Sequence, residues 1–121
     1  MQNIPAVPTT RTVTDDYGNQ HVIPGPFASV DEIRRANARI DNYWFDPTTL
    51  RFFNSRISDV LYAGRIFISS ERHVYEPAGI SEPRLYTIRV ASDRGEVFSL
   101  SEFQEFASSA QAKAAILRML Q

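Results

Sequence analysis

His21 and His73 are the two histidines of this 121-residue sequence, and imidazole is the side chain that titrates near neutral pH without help from its surroundings. General acid–base chemistry would need one of them beside a carboxylate or a nucleophile. Neither stands at a motif spacing from such a partner, so both are expected at the surface. No serine occupies a glycine-flanked elbow. Cysteine is absent, which removes disulfides, thiolate metal sites and a cysteine nucleophile together. There is no HxxxH pair, and Asp15-Asp16 stands in a stretch that reads as a turn, where aspartate is routine. Gly18, Gly25, Gly64, Gly79 and Gly95 are each isolated, whereas a phosphate cradle needs clustered glycines. These residues lead us to expect no catalytic residue, no metal and no cofactor, and they point away from an enzyme.

Binding chemistry has more to work with. Of the 13 basic residues only Lys113 is lysine. The guanidinium suits interfaces, being planar, weakly hydrated and able to hold a carboxylate with two hydrogen bonds. Arg51, Arg56, Arg65, Arg84 and Arg89 stand near strand aromatics such as Phe67 and Tyr86. That is the pairing with which sheet-based readers stack nucleic-acid bases, and these five form a candidate nucleic-acid-binding set. The formal net charge of −1 weighs against it, as do the neighbouring acids Asp59, Glu71, Glu76 and Glu82. Tyr43-Trp44-Phe45 is a second candidate: it either joins a helix to the core or offers an aromatic anchor of the sort that dominates protein-binding hot spots.

The elements that must position these groups are legible in part. Ser29-Val30-Asp31-Glu32 is a capping box opening a helix over 29–41, with Val30, Ile33, Ala36 or Asn37, and Ile40 on one stripe. Asp46-Pro47 starts a short helix over 46–53. The period then changes to two. Strands are expected at 56–61, 65–71, 84–91 and 96–100, with a tight turn at Ala63-Gly64 and a loop over 74–83. Ile66-Phe67-Ile68 is an unbroken apolar run, the mark of a strand covered on both faces. Ser108-Ser109-Ala110-Gln111 opens a C-terminal helix over 109–120, whose Ala112, Ile116, Met119 and Leu120 should pack on the sheet. The fold class is α+β: a four- to five-stranded antiparallel sheet with a capped N-terminal helix, a short middle helix and a C-terminal helix packed on the sheet. Residues 28–121 form that domain. Residues 1–27, punctuated by Pro5, Pro8, Pro24 and Pro26, form an N-terminal arm with a hairpin signal around Asp15–Asn19. The arm packs on its own domain, adds to a neighbour's sheet edge as a homo-oligomer contact, or hangs loose. No apolar run is long enough to cross a membrane, and the N-terminus lacks the pattern of a secretory signal.

The strings RFFNSRI, LYAGRIFISSE, PRLYTIRV and FQEFASSAQAKAAI resemble a family of small uncharacterised proteins encoded by bacteriophages. The resemblance runs through Trp44–Ile57, Gly64–Glu71, Arg84–Val90 and Phe103–Ile116, and residues 1–27 lie outside it. It implies a phage or prophage origin and a place in the cytoplasm of the infected bacterial host, and it carries over no catalytic residue. The expectation is a non-enzymatic accessory protein that binds a host or phage protein, as a host modulator or inhibitor. The alternatives are a nucleic-acid-binding module and a small hydrolase or nuclease built on scattered carboxylates.

Overall fold

A computed structural model describes residues 10–75 and 80–121. In chain order the elements are β1 (Arg11–Thr14), β2 (Gln20–Ile23), α1 (Val30–Arg39), α2 (Pro47–Arg51), β3 (Arg56–Ile57), β4 (Ile66–Glu71), β5 (Val74–Tyr75), β6 (Ile80–Ser81), β7 (Leu85–Ala91), β8 (Val97–Ser99) and α3 (Ser109–Met119). The main sheet is antiparallel with the order β3-β4-β7-β8, and β1-β2 and β5-β6 are separate two-stranded ribbons.

Strand β4 is the axis of the molecule, buried along its whole length. Its side chains alternate between the two faces of the sheet. Ile66 and Ile68 face Val90 and Ile88 across the β4–β7 register and pack with Ala112, Ala115 and Ile116 of α3. On the other face Phe67 packs with Ala91, with Val30 and Ile33 of α1, and with Phe45. The continuous apolar run expected of a doubly covered strand is therefore what the fold contains, and an α+β class with an antiparallel sheet is shown.

Both capping boxes close. Ser29 Oγ accepts from Glu32 N at 3.1 Å, and Ser108 Oγ accepts from Gln111 N at 3.2 Å. Each box's return bond goes one residue further back than the cap: Glu32 accepts from Ala28 N and Gln111 from Ala107 N. The expected stripe on α1 is buried at Val30, Ile33, Ala36 and Asn37. Asn37 is a staple rather than packing. Its Nδ2 donates to Asn42 Oδ1 and Gly95 O, both at 2.8 Å, and its Oδ1 accepts from Trp44 N at 3.0 Å. That one side chain ties α1 to the loop carrying Trp44 and to the β7–β8 turn.

Two expectations change. The strand at 56–61 is only Arg56–Ile57. Ser58 N still bonds Ile68 O, but Ser58 Oγ then accepts from Val60 N and turns the chain off the ladder. The loop at 74–83 contains the β5–β6 ribbon, while the stretch between those strands lies outside the described residues. The turn at Ala63-Gly64 forms as expected, with φ of 50° and 69°, the successive positive values a tight hairpin needs.

The hairpin β1–β2 packs on its own domain. Asp16 N donates to Ser99 O, and Ser99 N to Asp16 Oδ1. Arg11 donates to the carbonyls of Met119 and Gln121. Residues 1–9 of the arm lie outside the described residues.

Candidate functional site

The sheet face opposite α3 is only partly covered by α1. Beyond Phe67 along β4 and β7 it turns polar, with Ser69, Glu71, Thr87 and Arg89, and Ser99 opposite Arg89 on β8. Arg89 organises this strip. Its Nε donates to Ser69 Oγ at 2.9 Å and its Nη1 to Ser99 Oγ at 2.6 Å. Nη2 lies 3.6 Å from Glu71 Oε2. Glu71 is 1% exposed; its Oε1 accepts from Thr87 Oγ1 at 2.8 Å, and Oε2 has no hydrogen-bond partner among the described residues. A buried charge needs a counter-charge and hydrogen bonds, and each of this pair supplies the other. Burial pulls the Arg89 guanidinium below its ordinary value, and Glu71 partly offsets that.

Above the strip lie aromatics. The Arg89 guanidinium stands 5.3 Å from the Trp44 ring and 5.8 Å from the Phe103 ring, within cation–π range of both. Phe53 contacts Phe103 at 5.1 Å and Phe52 at 4.7 Å between ring centroids. Together with Thr49 and Leu50 these rings enclose an open cleft of about 470 Å³ with Arg89 in its lining. Phe52 is 79% exposed and Phe103 44%. Helix α2 explains why. It is a single capped turn, held by Asp46 Oδ2 accepting from Thr48 N at 3.0 Å. Adjacent side chains on a helix turn point about 100° apart, so Phe52 and Phe53 just past its end cannot both face the core. Phe53 leans inward over His73, and Phe52 stays out.

The structure divides the aromatic triplet. Phe45 is core, Trp44 is a half-buried cleft wall, and Tyr43 is exposed with φ of 61°. It divides the five candidate arginines as well. Arg65 is 5% exposed and spent inside: Nε donates to Val22 O, Nη1 to Ala91 O, and Nη2 pairs with Asp93. Arg89 faces Glu71. Arg51, Arg56 and Arg84 do converge, joined by Arg72, around a second groove. Sequence reasoning places Arg72 with the other five arginines on one possible face, and it missed Phe52, Phe53 and Phe103 as candidate site residues. The signal for the first two was a Phe-Phe pair after a helix too short to bury it. Phe103 reaches the cleft only through tertiary pairing.

His21 is a correction. Expected at the surface, it is 5% exposed, and its Nε2 donates to Asp15 Oδ2 at 2.7 Å. The hairpin turn folds residues six apart onto one another. Burial alone would raise the Asp15 carboxyl, but hydrogen bonds from His21, from the amides of Asn19 and Tyr17 and from the Asn19 side chain hold it below its ordinary 3.8. The ring packs 5.8 Å from Phe98. The pair fixes the turn, and among the described residues no hydroxyl is hydrogen-bonded to the ring. Among the described residues, too, no group of three potential metal ligands occurs, and no helix is long and apolar enough to cross a membrane.

A family model described as a family of unknown function (DUF7447) matches residues 29–117, from the N-cap of α1 into the last turns of α3. No curated protein and no solved structure matches the chain.

Proposed function

We propose that this chain, which belongs to that family of unknown function, works by binding another protein, and that the cleft walled by Trp44, Phe52, Phe53 and Phe103 receives an apolar side chain of the partner. The observation carrying this reading is the exposure of Phe52 at the rim of a preformed aromatic cleft. A phenylalanine left in water forfeits roughly 1.5–3 kcal/mol that burial would return. Tryptophan and arginine, which meet here as Trp44 and Arg89, are enriched where binding energy concentrates. The Arg89–Glu71 pair holds the floor rigid and locally neutral, which favours an uncharged insert over an ionic one. The resemblance to phage-encoded proteins supports a partner in the cytoplasm of an infected bacterium and a role as a host modulator.

A tagged pull-down from a bacterial host lysate tests this, with nuclease treatment, a salt wash and mass spectrometry. The expected result is one stoichiometric protein retained by the wild type and lost from Phe52→Ala. Retention of the same partner by Phe52→Ala removes the cleft from the interaction. Loss of every partner on nuclease treatment transfers the function to nucleic acid.

A further inference from the structure

Beside the aromatic cleft, and sharing Leu50 and Ser55 with it, lies a groove of about 350 Å³ lined by Arg51, Arg56, Arg72 and Arg84. The four come from the last turn of α2, from β3, from the residue after β4 and from the residue before β7. Among the described residues no carboxylate lines this groove. Elsewhere four arginines meet carboxylates, while Arg39, Arg94 and Arg118, which stand apart from one another in the chain, have no ion pair among the described residues. Arg34 and Arg35 pair with Asp31, Arg65 with Asp93, and Arg89 faces Glu71. Arg51, Arg56, Arg72 and Arg84 have no ion pair among the described residues.

Two further observations say that this crowding is built in. Arg84 is fixed in place, its Nη1 donating to Asn54 O at 2.9 Å and to Ser70 O at 3.0 Å. Arg72 Nε is buried and has no hydrogen-bond partner among the described residues. Burial, followed by the nearness of Arg56 and Arg72, pulls the Arg84 guanidinium below its ordinary value. The fold thus gathers like charges and, among the described residues, leaves one buried donor unanswered, an arrangement that an incoming anion would relieve.

We propose that this groove is an anion site and that its ligand is a short run of carboxylates on the partner protein; the identity of that partner as the one entering the aromatic cleft rests on the reading above. Guanidinium forks match carboxylates with paired, charge-assisted hydrogen bonds. Extended nucleic acid fits less well. The chain's net charge is −1 with these four cations included, so the remainder is net negative and repels a long polyanion outside the groove.

Fluorescently labelled hexaglutamate, which has no apolar side chain to enter the cleft, tests the groove by anisotropy with the full chain at low salt, where charge interactions are least screened. The wild type is expected to bind it, Phe52→Ala to bind it equally, and the double variant Arg56→Gln/Arg72→Gln to bind at least about tenfold more weakly. The double variant should also melt no lower than the wild type, because it removes repulsion. Absence of wild-type binding, unchanged binding by the double variant, or a lower melting temperature of that variant in chloride alone each overturns the proposal. So does binding of an oligothymidylate of equal charge at least about tenfold more tightly than hexaglutamate, which would assign the groove to a single strand. Hexaglutamate binding combined with a partner indifferent to Phe52→Ala would sink the cleft reading and leave the groove standing.

Discussion

Arg89 and Glu71 show how much depends on one buried pair. Neither can lose the other without stranding a charge beneath the aromatics, so Arg89→Met should cost about 3–5 kcal/mol. Replacing both, as Glu71→Leu with Arg89→Met, should recover most of that loss, since a buried pair is often no better than packed apolar side chains. Urea midpoints of the two singles and the double check this; a double variant no more stable than Arg89→Met refutes it. Asp15 gives a pH signature. Its folded value lies below 3.8, so its contribution is complete above about that pH and is lost as pH falls through the lower folded value. Asp15→Asn should therefore destabilise by about 1–2 kcal/mol at pH 7, with the gap to wild type closing in acid below pH 3.8. At this scale the sequence was least legible. His21 and Asp15 are ordinary turn-region residues until the hairpin closes, and Glu71 looks like a surface acid at the end of a strand until the sheet brings Arg89, bonded to Ser69 and Ser99, beside it.

Elements were far more legible, because their signals are local. A Ser-x-x-Glu or Ser-x-x-Gln string caps a helix with atoms it carries itself, and an apolar run such as Ile66-Phe67-Ile68 needs cover on both faces wherever it sits. Strand β3 was overextended because Ile57, Val60 and Leu61 are apolar without strict alternation, and the Ser58 hydroxyl settles the matter by bending the chain. The C-terminal helix supplies Ala112, Ala115 and Ile116 to one face of the sheet. Deleting residues 109–121 should therefore abolish cooperative thermal unfolding, and a retained sharp transition in circular dichroism would contradict this packing. The β7–β8 turn offers a finer test. Gly95 has φ of +98°, and a Cβ there would lie 2.8 Å from Ala36 Cβ and from Asn37 N. Gly95→Ala must strain its backbone and push α1 off the sheet, at about 2–4 kcal/mol by denaturation.

Across the whole molecule the two faces of one sheet meet different fates. The α3 face is apolar where Ile66, Ile68, Ile88 and Val90 pack with Ala112, Ala115 and Ile116. The other begins apolar under α1, becomes polar at Ser69, Thr87 and Glu71, and ends beneath rings that reach solvent. That gradient separates the residues that pack the core from those of the proposed binding cleft. Phe45 and Phe52 are both aromatic and only seven positions apart, yet Phe45 is 8% exposed and stacks on Phe67 at 5.9 Å, while Phe52 is 79% exposed. Phe45→Ala should cost about 3–5 kcal/mol, the range for emptying an aromatic from a core. Phe52→Ala should stay within about 0.5 kcal/mol, a shift of roughly 2 °C in Tm. Thermal melts of the two variants beside the pull-down decide between a binding surface and a packing defect. A Phe52→Ala protein that melts like wild type and loses its partner places the aromatic cleft in the interface. A melt lowered as far as that of Phe45→Ala would mean that Phe52 holds α2 on the sheet, and that its exposure serves the fold rather than a partner.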